Sequence, residues 1–259
     1  MKTIFEKVFV LLGGLLILFL VIPLVKMVFS LDFGIAKKVI ADAEVLQSIV
    51  LTLQSALWAT VIGIVTGVPL GYLLAKKHFP LKNIVQAAVD LPVVVPHTAA
   101  GIALLMVFGR HFFGGRIFSV FDISFVGTKA GIVIAMTFVS APFLINAARD
   151  AFASVPSRIE EVARTLGASP FQVFYRISLP VALRGILSGA LLMWARGISE
   201  FGAIIILAYH PMVTPVLIFE RFEAYGLKFA YPVAALLVLI CLVLFSLFRF
   251  LASKRERDK

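Results

Sequence analysis

Charged residues are scarce in this chain of 259 residues. Lys, Arg, Asp and Glu make up 15% of it and hydrophobic residues 61%, whereas soluble domains have about 25% charged and about 45–50% apolar residues. So few charges cannot cover the surface of a water-soluble core. The composition therefore excludes an ordinary soluble domain and a disordered tail protein, and it indicates a protein whose solvent is the lipid bilayer.

The sequence also lacks the residue patterns that disulfides and metal sites need. Cys241 is the single cysteine, and its apolar surroundings favour a buried or lipid-facing small side chain. The four histidines are scattered, and no two of them are three or four residues apart, as a metal site on a helix would require. We expect no metal site, no cofactor and no catalytic residues in this chain, since no nucleophile and base are placed together.

Six apolar stretches are long enough to cross a bilayer, which takes about 20 helical residues. The first begins with charges, as a signal peptide does, but its apolar run is too long for one and we expect it to remain as an anchor. Pro92, Pro96 and Gly101 predict a bent or partly unwound third span. The pattern predicts an all-α, polytopic integral membrane protein, residues 1–259 forming a single membrane domain. The spans are predicted at about 8–30, 49–75, 91–108, 130–147, 183–208 and 231–251.

The distribution of Lys and Arg predicts the orientation of these spans. With both termini in the cytoplasm, 15 of these residues fall in cytoplasmic segments and 8 in outer segments. Cytoplasmic loops carry the excess of positive charge in membrane proteins. We therefore expect a multi-pass protein of the cell membrane with cytoplasmic termini. The net charge of +10 is then a topology signal and a contact with membrane lipid, which argues against a nucleic-acid partner.

The longest predicted cytoplasmic loop, residues 149–180, is predicted to contain two short helices. Ser157, with acidic residues after it, is typical of a helix N-cap. Gly167 adopts positive φ easily and should end this helix, and Ser169–Pro170 predicts the start of the second. Leu179–Pro180 is expected to turn the chain into the fifth span. A helix lying on the lipid headgroups would show the same amphipathic pattern.

This loop carries the spacing of a known cytoplasmic signature, written EAA, three residues, G, nine residues, I, one residue, LP. Val162 replaces the first alanine, and the matching residues are Glu161, Ala163, Gly167, Ile177, Leu179 and Pro180. The chain therefore resembles the permease subunits of ABC importers, which implies the MetI-like type I importer fold. The resemblance implies that the loop, with Arg164 at its rim, docks into a cleft of an ATPase subunit. Because the chain has no G-x-x-x-x-G-K-[ST] motif, we expect two separate ATPase subunits to bind ATP and Mg.

A second resemblance covers residues 194–235. This segment, with RGISEFGA at residues 196–203, is similar to permeases for molybdate and tungstate within the importers of tetrahedral oxyanions. The resemblance implies a homodimer around the pore and an extracytoplasmic oxyanion-binding protein. A sulfate permease is the competing interpretation within this group.

Two charged residues lie inside the predicted fifth span. An unpaired charge near mid-bilayer costs about 3 kcal/mol or more, and the spacing of Arg196 and Glu200 lets them neutralise each other on one helix face. Alternatively, Arg196 and Ser199 border the path of the anion and Glu200 positions Arg196, while Gly202 lets the helix bend or a neighbour approach. Both interpretations are compatible with the sequence.

Further candidates for the path and further functional classes are weaker. Thr137 and Ser140 lie in the fourth span, although hydroxyls in spans often bond to their own helix. An ion-coupled secondary transporter would have related halves with broken spans and a midplane ion site, and the halves of this sequence are not alike. A membrane anchor for an enzyme complex would be expected to carry cofactor ligands or a soluble domain, and the sequence indicates neither.

Overall fold

The computed structural model describes residues 4–257, and the side chains of residues 5–246. The side chains of Lys2 and of the cationic residues from Arg249 onward, which contributed to the predicted orientation, lie outside this description. Within it, the secondary structure is entirely helical. The elements are α1 Ile4–Phe29, α2 Phe33–Ala41, α3 Ala43–Lys76, α4 Lys82–Val94, α5 His97–Phe108, α6 Phe113–Ser119, α7 Lys129–Ala153, α8 Ser157–Thr165, α9 Pro170–Val173, a π-helical segment Phe174–Ser178, α10 Leu179–Ile198, α11 Gly202–Leu207, α12 Thr214–Tyr225 and α13 Leu227–Arg257.

Five helical stretches in the described part of the chain are long and apolar enough to cross a membrane. They fall in α1, α3, α7, α13 and the continuous helix Pro170–Ile198. A sixth span is reached if α4 and α5 count as one, and these two helices are bent by 116° at their junction. The bend predicted for the third span is thus confirmed. Pro96 occupies the junction as the N-cap of α5, where a proline cannot continue the preceding helix.

The fifth span, predicted at 183–208, has different bounds in the structure and is interrupted. It begins much earlier, at Pro170, and ends at Ile198, so that residues 199–201 separate it from the short α11. The turn expected at Leu179–Pro180 is absent. Pro180 has no N–H to donate to the carbonyl four residues before it, and the helix passes this point through the π-helical segment, where the N–H of Leu179 bonds to the carbonyl of Phe174.

The residues between Val50 and Val216 form one compact unit. Its centre is α7, whose Ala148 and Phe152 are fully buried. Glycines on both neighbouring helices allow close packing here: a Cβ on Gly71 of α3 would lie 2.9 Å from the Cβ of Ala148, and one on Gly189 of α10 would lie 2.5 Å from that of Ala147. Small residues serve this role in membrane helix packing because they let backbones approach.

A second unit comprises Met1–Ile49 and Leu217–Lys259. In it, α1 and α2 each contact α13. Arg221 of α12 donates to Asp42 Oδ2 at 2.7 Å and to Glu44 Oε2 at 2.8 Å. The hydrogen bond from Arg221 lowers the pKa of the Asp42 carboxyl against the opposing effect of burial. This ion-pair cluster fixes the start of α3 to α12.

Candidate functional sites

The break between α10 and α11 holds the two charges predicted in the fifth span. Arg196 lies in the last turn of α10, and Glu200 lies just beyond its end. Arg196 Nη2 donates to Glu200 Oε2 at 3.1 Å, so the expected ion pair is confirmed. The side chain of Glu200 is 1% exposed and that of Arg196 is 23% exposed. A carboxylate enclosed this far needs its partners, because an uncompensated buried charge is costly.

His97, the first residue of α5, completes this cluster. Its Nδ1 lies 2.7 Å from Glu200 Oε2 and 2.8 Å from Arg196 Nη2. The cluster therefore joins the break between α4 and α5 to the break between α10 and α11. His97 and Glu200 are 103 positions apart, so no local sequence pattern connects them.

The second oxygen of Glu200 stabilises the start of α11. Glu200 Oε1 accepts a hydrogen bond from the N–H of Ala203 at 2.9 Å, which satisfies one of the unpaired donors of a helix start. Gly202 allows α5 to come close, because a Cβ at this position would lie 2.7 Å from the Cβ of His97. The break in the predicted helix is thus built by a glycine contact and by a carboxylate that both caps α11 and pairs with Arg196.

One side of the cluster is accessible. Ser199 is exposed, and its hydroxyl accepts a bond of 3.2 Å from Arg196 Nη1. The side chain of His97 is 33% exposed. Guanidinium groups bind oxyanions through two parallel N–H donors. The arrangement therefore presents a cationic side chain, a hydroxyl and an imidazole on one accessible face, with a buried carboxylate behind them.

The hydroxyls predicted in the fourth span bond to their own helix. Thr137 Oγ1 donates to the carbonyl of Val133 at 2.7 Å. Ser140 is fully buried, and its hydroxyl donates to the carbonyl of Met136. Both contacts match the alternative interpretation of hydroxyls in spans. Within the described part of the chain, neither hydroxyl forms a hydrogen bond to Arg196, His97 or Glu200.

The loop with the EAA-type spacing forms α8, a glycine turn and α9. Gly167 has a φ of +89°, as predicted for the end of the first helix. Ser169 and Gln172 form a capping box that starts α9, which confirms the second predicted start. The N-cap predicted at Ser157 is wrong: Pro156 is the N-cap of α8, and no side chain caps this end. Proline fits there because the first N–H groups of a helix have no intrahelical partner.

The signature residues of this loop lie partly on its surface. Glu161, Arg164 and Gly167 are exposed, Ala163, Ile177 and Leu179 are half-buried, and Pro180 is exposed on α10. Large apolar side chains are exposed beside them, namely Leu166 at 83%, Phe171 at 74% and Tyr175 at 62%. Exposed apolar groups of this size on a loop indicate a surface for another molecule.

Two polar clusters were not indicated by the sequence. Glu160 of α8 is buried, and its Oε2 lies 3.2 Å from Nζ of Lys76 of α3. Asp90 of α4 accepts hydrogen bonds from Gln86 Nε2 at 2.9 Å and from Asn146 Nδ2 of α7 at 2.7 Å. For Asp90, the sequence feature that could have indicated the cluster is a carboxylate inside an apolar stretch.

Comparison with known proteins identifies the family and agrees with the fold. Residues 67–257 match the family model described as binding-protein-dependent transport system inner membrane component. The molybdate/tungstate transport system permease protein WtpB of Pyrococcus abyssi is 43% identical over 251 residues, covering 96% of each chain. A probable sulfate transport system permease protein, cysT, of Chlorokybus atmophyticus is 32% identical and covers 85% of this chain and 78% of its own length. A chain of the MetNI methionine ABC transporter in an inward-facing conformation aligns with a TM-score of 0.65 at 20% identity, covering 83% of this chain and 95% of its own.

Proposed function

The chain belongs to the family of binding-protein-dependent transport system inner membrane components, and on that premise we propose that it is the membrane permease of an ABC importer for molybdate and tungstate. The observation that carries this function is the 43% identity to an archaeal molybdate/tungstate permease along nearly the whole of both chains. The all-helical MetI-like fold fits the same function. As a permease, it is a multi-pass membrane protein that itself performs no covalent chemistry.

Sulfate is the alternative substrate within this function. It is supported by the sulfate permease relative, whose identity of 32% is lower and whose match covers less of both chains. Sulfate, molybdate and tungstate are all tetrahedral dianions, so the same permease architecture suits each of them. The higher identity and fuller coverage favour molybdate and tungstate.

The partners of this permease follow from its loop and its span number. We propose that the exposed loop surface, including Glu161 and Arg164, docks on two ATPase subunits, which bind ATP and Mg. Docking would remove the apolar side chains of Leu166 and Phe171 from water, and this burial favours association. We further propose that two copies of the chain pair around the pore, that an extracytoplasmic protein delivers the oxyanion, and that both termini lie in the cytoplasm.

The Arg196 cluster is the part of the chain best suited to the path of the anion. The guanidinium of Arg196 supplies the positive charge beside Ser199 and His97, and Glu200 holds Arg196 in place. The negative charge of Glu200 offsets the positive charge of Arg196, so the contact of Arg196 with a passing dianion is weak enough for release. Gly202 contributes by letting α5 and α11 pack closely at the two helix breaks. Thr137 and Ser140 are weaker candidates, because their hydroxyls are already bonded to α7.

Reconstitution tests the function and the substrate together. The chain is placed in liposomes with its ATPase, and ATP hydrolysis and uptake are measured with a binding protein loaded with tungstate, molybdate or sulfate. We expect stimulation and uptake with tungstate and molybdate, and neither with sulfate. Stimulation by sulfate alone would overturn the substrate, and failure of the chain to bind any ATPase would overturn the importer function.

A further inference from the structure

Four segments of the Val50–Val216 unit meet at the base of the loop. They are the C-terminal ends of α3 and α7, the helix α8 and the π-helical segment that leads into α10. Because α8 has only nine residues, it is too short to be stable by itself in water. Its position therefore depends on what it contacts at this base.

A polar layer ties α8 to two of these segments. Glu160 Oε2 pairs with Lys76 Nζ of α3 at 3.2 Å, and Glu160 Oε1 accepts a hydrogen bond of 2.7 Å from the hydroxyl of Ser178. Lys76 Nζ also donates to the carbonyl of Val155, just after α7, at 2.6 Å. The side chains of Glu160 and Lys76 are 3% and 10% exposed. Each oxygen of this buried carboxylate thus has its own partner on a different element.

An aromatic layer lies one helical turn away from the polar one. Tyr72 precedes Lys76 by four residues on α3, and Phe174 precedes Ser178 by four residues in the π-helical segment. The ring of Tyr72 makes edge contacts with the rings of Phe152 of α7 and Phe174, with ring centroids 5.2 Å and 4.9 Å apart. Edge-to-face aromatic pairs of this kind are favourable beyond the area that they bury. The two layers together hold α3, α7 and the start of α10 around Glu160.

The other face of α8 is exposed within the part of the chain that the structure describes. Ile159 and Val162 are about half exposed, and Leu166 is 83% exposed. The helix is therefore held to the membrane unit on the side of Glu160 and exposes apolar groups elsewhere. A partner that moves the exposed side shifts Glu160 as well, and the strong contacts of a buried, fully partnered carboxylate resist separation.

We propose that Glu160, with Lys76 and Ser178, is the joint that transmits movement of α8 to α3 and α10. This inference rests on the proposed function, in which the ATPase docks on the loop. Glu160 is a positioning residue and touches neither nucleotide nor the transported anion. The chain itself connects α8 to α7 through residues 154–156 and to α10 through Gly167 and α9. The ion pair of Glu160 with Lys76 adds a direct contact from α8 to α3.

Glu160→Gln in the complete transporter tests this joint. The substitution keeps the size of the side chain and removes its charge, and so weakens the contact with Lys76. We expect uptake per ATP hydrolysed to fall about tenfold, as for loss of a hydrogen bond to a charged group, while the ATPase still co-purifies with the permease. Asp150→Asn is the matched control, since Asp150 is an exposed carboxylate near the loop that pairs only with its neighbour Arg149 in the described contacts, and we expect wild-type coupling from it.

A double-mutant cycle with Lys76→Gln separates transmission from simple damage. If the pair acts as one joint, the double variant loses no more uptake per ATP than either single variant; additive losses would overturn the proposal, as would wild-type coupling in Glu160→Gln. If Glu160→Gln does not fold, Ser178→Ala removes one contact of the same carboxylate and must show the same loss of coupling. Failure of the wild-type chain to bind an ATPase would instead contradict the proposed function.

Discussion

Two buried carboxylates in the described part of the chain, Glu200 and Glu160, are each shared between several partners. Glu200 connects Arg196, His97 and the N–H of Ala203, and Glu160 connects Lys76 and Ser178. A charge removed from water is tolerated when its oxygens are all engaged. At the scale of single residues, the acidic side chains therefore determine where helices end and where they are held together.

Replacing Glu200 should be more damaging than replacing the whole pair. Glu200→Ala leaves Arg196 without its carboxylate and removes the cap of α11, and we expect a loss of about 3 kcal/mol in the free energy of unfolding. The double variant Arg196→Ala, Glu200→Ala should be less destabilised, because no unpaired charge remains. Thermal unfolding of the purified variants in detergent measures both. Strictly additive effects of the two substitutions would contradict the pair.

At the scale of elements, interruptions in helices are the informative features of the fold. The break between α4 and α5 and the break between α10 and α11 meet at His97 and Glu200. The π-helical segment allows Pro180 to lie within one long helix, and Gly167 separates α8 from α9. Each interruption has a local cause in a proline, a glycine or a capping side chain. Each also lies next to residues of a candidate functional site.

The turn between α8 and α9 should depend on the backbone of Gly167 rather than on space around it. A Cβ there would meet nothing within 4 Å, but φ is +89°, where a β-branched residue is strained by about 1–2 kcal/mol. We expect Gly167→Val to weaken ATPase association about 5- to 30-fold without changing the number of spans. Gly167→Asn, which tolerates positive φ better, is the control and should bind almost as the wild type does. Equal binding by all three proteins, measured by co-purification, would show that the turn is not needed for docking.

The cluster that joins α3 to α12 should make stability depend on pH. The lowered pKa of Asp42 means that its contribution is fully present above the unfolded value of about 4 and is lost as pH falls through the lower folded value. Arg221→Gln removes the guanidinium that lowers the pKa of Asp42. The difference in melting temperature between wild type and Arg221→Gln should therefore be constant near neutral pH and shrink below about pH 4. A difference that stays the same throughout acidification would contradict this contribution of Asp42.

At the scale of the whole molecule, the apolar composition and the long apolar helices fit a membrane component of a transport system. Membership of the transport family decides against the ion-coupled transporter and the enzyme anchor considered from sequence. The apolar surface of the long helices suits a lipid surrounding, while an exposed apolar group of the loop such as Leu166 lies outside those helices. These two kinds of apolar surface serve different neighbours.

The proposed orientation can be tested with single cysteines. In a Cys241→Ala background, we expect Val120→Cys, which is 81% exposed in the wild-type position, to react from outside the cell with a membrane-impermeant maleimide. Ser154→Cys, at the end of α7, should react only after the membrane is opened, because positive charge favours a cytoplasmic loop. The reverse pattern of labelling would place the termini outside. The Cys241→Ala protein without an introduced cysteine is the control for background labelling.

The sequence by itself determined the class of the protein, the bent third span, the glycine turn at Gly167 and the helix start at Ser169. These features depend on composition and on residues close together in the chain, so local rules are enough to predict them. Only the tertiary structure decided that His97 contacts Glu200, that Glu160 is buried against Lys76, and that a helix runs through Pro180. The partners in the first two contacts are far apart in sequence, so no local pattern connects them.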